Sequence, residues 1–381
     1  MASNRKNNSI SSNLISLSLF SGAGGMDVGV IQAGFEVLAC IEIDPYASET
    51  LRANIVREKR STKVIEMDIR HVSPINLREE LGLAVGELDL LFGGPPCQPF
   101  SQIGKKHGIN DERGLLIFEM IHFVEAFRPR AVLVEQVKGF LSAPDADGKR
   151  GGVFERFIAH LDILGYSSKW KVINAADYGV PQLRQRVFIV GIRGENNFEF
   201  PQPTHGSHDG LCSSFLLSPY VTVEEALQGL GEPYKKSDGF IPENSHLDVT
   251  PEGDRYRING VPEGSHLSAH IHLPKEQRRN LTKKDTTKFK RLSRQAPSNT
   301  LRCGEIFFHP LENRYLTPRE CMRLHGYPDD YILCGPIRGR SGRVRFLDQH
   351  RQVANSVPPP VARVIAEAIA EALYVQEKNC S

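Results

Sequence analysis

One cysteine is a candidate nucleophile, because it lies in a loop rich in proline and glycine directly after a buried strand. Residues 93–101 read Gly-Gly-Pro-Pro-Cys-Gln-Pro-Phe-Ser and follow the apolar run 88–92, which predicts a short strand. A thiol on a stiff loop at the carboxyl end of a strand is a typical position for the nucleophile of an α/β enzyme. Most free cysteines are instead small buried hydrophobic residues. The local pattern alone leaves both interpretations of Cys97 open.

A glycine-rich turn and two carboxylates form a second group that could do chemistry. The turn at 20–27 reads Phe-Ser-Gly-Ala-Gly-Gly-Met-Asp. It lacks the third glycine of the dinucleotide fingerprint, although its glycines would let a ligand approach the backbone. Glu42 and Asp68 end the next two predicted strands, where carboxylates suit ribose hydroxyls or an adenine amine. Taken singly, these residues are better explained as loop glycines and helix-capping acids. Together they indicate a nucleoside cofactor without a pyrophosphate, and S-adenosylmethionine is the leading candidate.

These residues require a sheet whose strands end on the same side, and the N-terminal half of the chain predicts one. Strand-like runs occupy residues 14–20, 37–43, 64–67, 88–92, 131–135, 167–174 and 187–192. Helical stretches lie between several of them, at residues 26–33, 46–54, 115–127 and 153–164. This alternation predicts an α/β fold with a doubly wound, mainly parallel sheet, which binds ligands at the carboxyl ends of its strands.

The alternation is lost after Gly194, which predicts a second, smaller and irregular domain. Residues 195–290 are rich in Pro, Gly, Ser and His and hold six of the 13 histidines. Regularity resumes at residue 291, and prolines 358–360 lead into an amphipathic helix from 361 to about 375. We therefore expect four segments: a disordered polar tail at 1–13, a catalytic and cofactor-binding domain at 14–194, the irregular domain at 195–290, and a C-terminal segment at 291–375 that returns to the catalytic domain.

Composition narrows the class of protein. The hydrophobic fraction of 40% and charged fraction of 24% are those of an ordinary soluble globular protein. No apolar run is long enough to cross a bilayer, and the seven scattered cysteines form no Cys-x-x-Cys pair, which favours reduced thiols in a cytosolic protein. The net charge of +2 hides nine basic residues against two acids at 275–294, and a further arginine cluster at 338–345. Two basic clusters in a nearly neutral chain indicate a face for a polyanion, for which nucleic acid is the leading candidate.

In their order along the chain, these motifs resemble those of the DNA (cytosine-5)-methyltransferases, over residues 14–375. The matching segments are the turn at 20–25 (cofactor loop), Glu-Ile-Asp-Pro-Tyr at 42–46 (ribose), Asp-Ile at 68–69 (adenine), Gly-Pro-Pro-Cys-Gln at 94–98 (catalytic loop), Glu-Gln-Val at 135–137, the Gln-x-Arg-x-Arg segment within 178–186, residues 291–302, and Asn-Ser-Val at 355–357. The resemblance assigns ten residues to the cofactor site: Phe20, Gly22, Gly25, Glu42, Ile43, Asp68, Ile69, Pro96, Leu116 and Asn355. No metal site is expected.

The resemblance implies transfer of a methyl group from S-adenosylmethionine to C5 of cytosine. Cys97 would be the thiolate that adds to C6 and makes C5 nucleophilic. Glu135 would bond N3 of the base as a protonated carboxyl, its pKa raised by burial. Arg186 would hold O2 of the base and Arg184 would support the catalytic loop; two apart at the start of a strand, they are expected to point to the same face. The family usually has Asn after the catalytic Glu, so Gln136 predicts rearranged hydrogen bonds near Glu135.

The same resemblance implies double-stranded DNA as the partner. The target base must leave the duplex, since its reactive atoms are inaccessible in the stack. The domain at 195–290 would then be the target recognition domain, reading base edges, and the basic stretch 275–294 would contact phosphates. Similarity to bacterial modification enzymes further implies that the protein protects host DNA from a restriction endonuclease acting on the same site. We expect a cytoplasmic protein without membrane association that joins the nucleoid when bound to DNA, and a monomer, because one active site per flipped base needs no partner.

Three alternatives remain open. A branch of the family methylates transfer RNA, but its catalytic cysteine is typically followed by Phe-Thr, whereas Gln98 follows Cys97 here. A catalytically silent DNA-binding protein could keep the fold, and Gln136 is the one residue that favours it. A nucleotide-dependent oxidoreductase is the weakest alternative, because the glycine pattern at 20–25 is wrong for it.

Overall fold

A seven-stranded sheet forms the centre of the protein, for which a computed structural model describes residues 14–96, 116–194, 197–207, 217–235, 239–240, 242–267, 274, 289–304, 307–337 and 346–380. Its strands are β1 (Leu14–Leu19), β2 (Phe35–Glu42), β3 (Lys63–Glu66), β4 (Leu90–Gly93), β5 (Ala131–Gln136), β6 (Tyr166–Asn174) and β8 (Gln185–Arg193). They lie in the order β3-β2-β1-β4-β5-β8-β6. All neighbouring strands are parallel except β8, which runs antiparallel to both β5 and β6. The predicted mainly parallel α/β sheet is confirmed, with strand ends within about two residues of the predicted ones.

Helices cover both faces of the sheet, which explains why its central strands are apolar throughout rather than alternating. The helices around it are α1 (Gly25–Gln32), α2 (Pro45–Arg57), α3 (Pro74–Glu80), α4 (Leu116–Phe127), α5 (Gly152–Ile163) and α10 (Pro359–Cys380). On one face, α1, α2 and α10 pack against Leu90, Phe92 and Leu133. On the other, α3, α4 and α5 pack against Leu91 and Val132. Successive residues of one strand therefore belong to two different cores.

The C-terminal helix α10 returns to the first helix of the chain. It begins two residues before the predicted start and extends five beyond the predicted end. Its residues Val361, Ile365 and Ile369 are buried in the same core as Met26 and Val30 of α1. The two helices cross at Gly29, where a Cβ would stand 2.4 Å from the carbonyl oxygen of Pro359. This close approach fixes the C-terminal segment against the start of the sheet.

The remaining described segments contain short elements. They include α6 (Val223–Leu227), α7 (Glu252–Ile258), α8 (Pro318–His325), α9 (Gln349–Asn355), and the two-residue strands β7 (Gln182–Leu183), β9 (His205–Gly206), β10 (Ser218–Pro219), β11 (Tyr234–Lys235), β12 (Leu247–Asp248), β13 (Lys290–Arg291), β14 (Ser298–Asn299) and β15 (Phe307–Phe308). β14 pairs with β7, so residues after 290 contact the segment that enters β8. The division into domains stays a prediction, and the tail at 1–13 lies outside the described residues. No helix in the described ranges is long and apolar enough to span a membrane.

We predict that Gly29→Ala destabilises the protein, because the new methyl group would meet the backbone of α10 and neither helix can yield without losing core contacts. The expected loss in the free energy of unfolding is about 1–3 kcal/mol, the usual cost of overpacking. Gly253→Ala is the matched control, since no atom lies within 4 Å of a Cβ at that position of α7. Urea unfolding of both variants checks this, and an equal stability for the two would contradict the packing described here.

Candidate active site

The carboxyl ends of β1, β4 and β5 meet at one pocket. The sheet order reverses between β1 and β4, the point at which open α/β sheets bind ligands. Residues lining the pocket come from the turn after β1, from the end of β4, from β5 and from the C-terminal segment, and include Phe20, Gly22, Gly94, Glu135, Asn355 and Ser356. Four of these were predicted as site residues: Phe20, Gly22, Glu135 and Asn355. The structure thus brings the turn after β1 together with residues 355–357, which lie more than 300 positions away in sequence.

The glycine-rich turn after β1 is shaped by contacts on both sides. Phe20 has a φ of 54°, a left-handed conformation that is strained for a bulky residue and is typical of functional loops. Gly22 also has a positive φ, and no atom lies within 4 Å of a Cβ placed there, so this residue leaves room for a ligand. At Gly25, by contrast, a Cβ would stand 2.4 Å from the carbonyl oxygen of Val357. Gly25 is therefore required by packing, and its predicted contact with the cofactor stays a prediction.

The side chain of Glu42, the last residue of β2, links the turn after β1 to the turn after β2. Its carboxylate accepts hydrogen bonds from the backbone N–H of Gly22 at 2.7 Å and of Asp44 at 2.8 Å. Burial raises the pKa of Glu42, and the two N–H donors partly offset this effect. Ile43, which follows, is 61% exposed. A fixed carboxylate beside an exposed apolar side chain can accept hydrogen bonds from a sugar while a planar ring packs alongside.

Asp68 and Ile69, the predicted adenine contacts, are both engaged within the protein. Asp68 caps the helical turn at 69–71 and forms an ion pair with Arg70 at 2.6 Å, which lowers the pKa of this aspartate. The side chain of Ile69 is buried in the core beneath α3 and α4. Pro96 and Leu116 are half-buried and flank residues 97–115. Cys97 itself lies outside the part of the chain that the structure describes.

Glu135 occupies the floor of the pocket beside a guanidinium group. Its side chain is buried near the end of β5, and its Oε1 lies 2.9 Å from Nε of Arg186. Burial raises the pKa of Glu135, while the charges of Arg186 and Arg184 act in the opposite direction. A Cβ on Gly94 would stand 3.3 Å from Oε2 of Glu135, so the loop that leads to Cys97 begins in contact with this carboxyl. A carboxyl in this setting retains a proton above its ordinary pKa and can donate it to a ring nitrogen.

Arg184 and Arg186 have different partners. Arg186 pairs with Glu135, whereas the fully buried guanidinium of Arg184 donates to the carbonyl oxygens of Leu301 at 3.1 Å and Ser356 at 3.0 Å. The two side chains were expected to point to the same face. The structure agrees with this in one respect, since the charges of both arginines lower the pKa of Glu135. The predicted support of the catalytic loop by Arg184 concerns residues beyond Pro96, which the described ranges do not include. In the structure, the side chain of Arg184 is hydrogen-bonded to the C-terminal segment.

Gln136, the departure from the family pattern, holds the start of the loop that leads to Cys97. Its side chain is 1% exposed, and Nε2 donates to the carbonyl oxygen of Pro95 at 2.8 Å. Its Oε1 accepts from the backbone N–H of Val137 at 3.3 Å. The longer amide therefore reaches across from β5 to the end of β4 and fixes a backbone atom two residues before Cys97.

Part of the basic stretch expected to contact phosphates is structural. Arg291 is 5% exposed because its guanidinium is surrounded by acceptors. It donates to the carbonyl oxygens of Ile258, His309, Pro310 and Glu312 and to Oδ1 of Asn313. Arg294 forms an ion pair with Glu263. Arg291 is therefore corrected from a candidate phosphate contact to an internal link, whereas the partly exposed Arg294 stays a candidate. Residues 275–288 and the cluster at 338–345 fall outside the described ranges.

Sequence patterns missed three residues around the pocket. Asp27 lines it, and its buried Oδ2 has no hydrogen-bond partner among the described residues, while Oδ1 accepts from the thiol of Cys40. Gln182 and His325 are both fully buried behind the pocket. Asp27 looks like an ordinary first-turn acid of a helix, Gln182 is the first residue of the Gln-x-Arg-x-Arg segment but received no role, and His325 has no local signal. Within the described ranges, no three His, Cys, Asp or Glu side chains are grouped so as to hold a metal ion.

Comparisons with known proteins match this chain to one family. Residues 14–371 match the family model described as C-5 cytosine-specific DNA methylase. The chain is 32% identical to Type II methyltransferase M.NgoFVII of Neisseria gonorrhoeae over 93% of this chain and 85% of that protein. It is 35% identical to Type II methyltransferase M.PspPI of Psychrobacter sp. over 95% of this chain and 80% of that protein.

Solved structures share the fold. A prophage-encoded protein of E. coli superposes with a TM-score of 0.69 at 22% identity, over 95% of this chain and 100% of that chain. The S. pombe Dnmt2 methyltransferase superposes with a TM-score of 0.58 at 18% identity, over 96% of this chain and 99% of that chain.

We predict that Gln136→Leu lowers the free energy of unfolding by about 1–3 kcal/mol, the usual cost of a buried carbonyl that loses its donor. Gln136→Asn, which keeps an amide but is shorter, should recover part of this loss. The control is Gln185→Leu at an exposed position, for which a change within about 0.5 kcal/mol is expected. Urea unfolding measures all three, and a Gln136→Leu variant as stable as the wild type would show that the bond to Pro95 does not hold the loop.

Proposed function

Because the chain belongs to the C-5 cytosine-specific DNA methylase family, we propose that this DNA (cytosine-5)-methyltransferase acts on a cytosine flipped out of a short double-stranded sequence, through a covalent bond between Cys97 and C6. The observation that carries the proposal is that Glu135, paired with Arg186, lines one pocket together with Gly94, which begins the loop that leads to Cys97. The segment before Cys97 thus begins beside the two groups suited to hold a pyrimidine ring.

The pocket fits S-adenosylmethionine, which supplies a methyl group on a positively charged sulfur. Its lining includes Asp27, whose Oδ2 is a buried acceptor that lacks a partner among the described residues. Gly22 leaves open space above the turn, and the fixed carboxylate of Glu42 stands next to it. We assign the ribose to Glu42, and the adenine to the exposed side chain of Ile43 together with the segment Asp68–Ile69.

Glu135 and Arg186 would hold the cytosine and balance its charge. The protonated carboxyl of Glu135 donates to N3, and the guanidinium of Arg186 donates to O2. Both bonds withdraw electrons from the ring and prepare C6 for attack. Since burial raises the pKa of Glu135, the carboxyl keeps its proton at a pH where an exposed glutamate has lost it.

Cys97 would then do the covalent chemistry. Its thiol loses a proton, the thiolate forms a bond from Sγ to C6, and the electron pair of the 5,6 double bond moves to C5. C5 would bond the methyl group as the bond between that group and the sulfonium sulfur breaks, its electron pair staying on the sulfur. Loss of the C5 proton to a base would then restore the double bond as the Sγ–C6 bond breaks. A nearby guanidinium lowers the pKa of a thiol, and Arg186 pairs with Glu135, which lies against the start of this loop at Gly94. The product is 5-methylcytosine.

We further propose that residues 195–290 read the target sequence and that the protein works as a monomer beside a restriction endonuclease of the same specificity. Reading base edges in the major groove requires loops rather than regular sheet, and the described part of this region holds two short helices and two-residue strands. The names of the relatives, Type II methyltransferases, support the host-protecting role.

We predict that purified protein with S-adenosylmethionine methylates plasmid DNA at a single short motif, detected by bisulfite sequencing. Cys97→Ser should abolish methylation, and Glu135→Gln should lower kcat by about 10²–10³, the effect of removing one preorganised donor. Glu371→Gln, exposed on α10, is the control for Glu135→Gln. Binding of the cofactor without methylation of DNA would contradict the proposal; transfer RNA as the substrate, or a silent DNA-binding role, would then replace it.

We predict that Glu42→Gln weakens binding of S-adenosylmethionine, because an amide cannot accept from both Gly22 and Asp44 and presents a donor to one of them. The dissociation constant measured by calorimetry should rise about tenfold, equivalent to roughly 1.4 kcal/mol. Glu36→Gln, exposed on the same strand, is the matched control and should bind normally. Equal affinity in both variants would remove Glu42 from the cofactor site.

A further inference from the structure

His325 lies in a buried polar cluster directly behind the pocket. It is the last residue of α8 and is 0% exposed. Its Nδ1 is 3.0 Å from Nε2 of Gln182, and its Nε2 is 2.9 Å from the carbonyl oxygen of Ser356. Both ring nitrogens therefore have partners, one of which belongs to the wall of the pocket.

The amide of Gln182 determines the tautomer of this histidine. Oε1 of Gln182 accepts from the backbone N–H of Leu301 at 3.1 Å, and Nε2 donates to the carbonyl oxygen of Leu324 at 3.1 Å. The amide nitrogen therefore faces His325 as a donor, so Nδ1 of the ring must accept. The ring proton then lies on Nε2 and is donated to Ser356. Burial and the charge of Arg184 keep the pKa of His325 well below its ordinary value, which agrees with a neutral ring.

The carbonyl oxygen of Ser356 receives a second hydrogen bond from the site. Nη2 of Arg184 donates to it at 3.0 Å, so a neutral imidazole and a guanidinium hold one oxygen from two sides. Arg184 lies two residues from Arg186, the partner of Glu135. A displacement of Ser356 would therefore move Arg184 and disturb its neighbour Arg186 beside Glu135.

The same peptide unit contacts the cofactor loop. Asn355, Ser356 and Val357 line the pocket together with Phe20 and Gly22. A Cβ at Gly25 would lie 2.9 Å from the Cβ of Ser356 and 2.4 Å from the carbonyl oxygen of Val357, so loop and wall are in direct contact. The position of residues 355–357 therefore determines how much space remains for a ligand next to Gly22.

We propose that His325 is a positioning residue for methyl transfer. Its Nε2–H donates to the carbonyl oxygen of Ser356 and thereby keeps residues 355–357 in the position that binds the cofactor. The inference rests on the proposed function, because it assumes that the pocket takes S-adenosylmethionine. His325 touches neither substrate nor cofactor and acts through Ser356 alone.

Two substitutions separate the two bonds of His325. In His325→Gln the amide nitrogen falls near the position of Nε2 and keeps the donor to Ser356, whereas in His325→Asn the amide reaches only the region of Nδ1 and Gln182. We expect His325→Gln to keep the KM for S-adenosylmethionine within about threefold of wild type. His325→Asn should raise this KM about tenfold, while the KM for DNA changes by less than about threefold.

His246→Asn is the matched control for loss of stability. His246 is also buried with both nitrogens engaged, by Oγ1 of Thr317 and the carbonyl oxygen of Gly231, and neither partner lines the pocket. This variant should lose thermal stability without a change in the KM for S-adenosylmethionine. A purely structural role of His325 would make its two variants change KM equally, in step with their melting temperatures, and would overturn the proposal.

Nitrogen-15 NMR of histidine-labelled protein tests the hydrogen bond without reference to activity. The proposal requires a neutral ring with the proton on Nε2; a proton on Nδ1, or a doubly protonated ring at neutral pH, would overturn it. A wild-type protein that fails to bind S-adenosylmethionine would overturn the proposed function and the positioning role together. Normal binding by the wild type with equal behaviour of His325→Gln and His325→Asn would overturn the positioning role alone.

Discussion

The chemistry proposed for this pocket depends on a carboxyl that is buried beside a positive charge yet keeps its proton. Desolvation raises the pKa of Glu135, and the adjacent guanidinium of Arg186 lowers it, with the first effect the larger. The retained proton requires that water be kept away from the carboxyl, because the guanidinium 2.9 Å away acts against it. This condition is met by the surrounding elements: the strand is covered on both faces, and the loop start at Gly94 lies against the carboxyl.

The second constraint is the contact between the beginning and the end of the chain. The turn after β1 packs on residues 355–357 so closely that Gly25 has no room for a side chain. Helix α10 repeats this contact at Gly29, and Arg184 and His325 hold the carbonyl of Ser356 from the other side. A cofactor in this pocket would therefore lie between segments more than 300 residues apart, and its affinity would report on the packing of the whole catalytic unit.

The sequence predicts the sheet and the strand-end residues well, because their signals are local. Apolar runs of strand length and a glycine turn depend only on neighbouring residues, and Glu42 and Glu135 stand where the runs end. The contacts of Arg184 with Leu301 and Ser356, and of Gln182 with His325, join residues more than 100 positions apart, and no periodicity encodes them. For Arg291, the local sequence pattern led to a wrong prediction. A basic residue in a basic stretch is usually exposed, but here five acceptors surround it and allow burial.

The most direct test of the account is to trap the bond between Cys97 and the target base. DNA amplified with 5-fluorocytosine in place of cytosine presents a C5 that cannot lose a proton after methylation, so the thiol cannot be eliminated. Incubation with S-adenosylmethionine, digestion and mass spectrometry should then find the nucleotide on the peptide that contains Cys97, and on no other. An adduct on a different residue, or methylated DNA without any adduct, would contradict the covalent mechanism and the role of the loop held by Gln136.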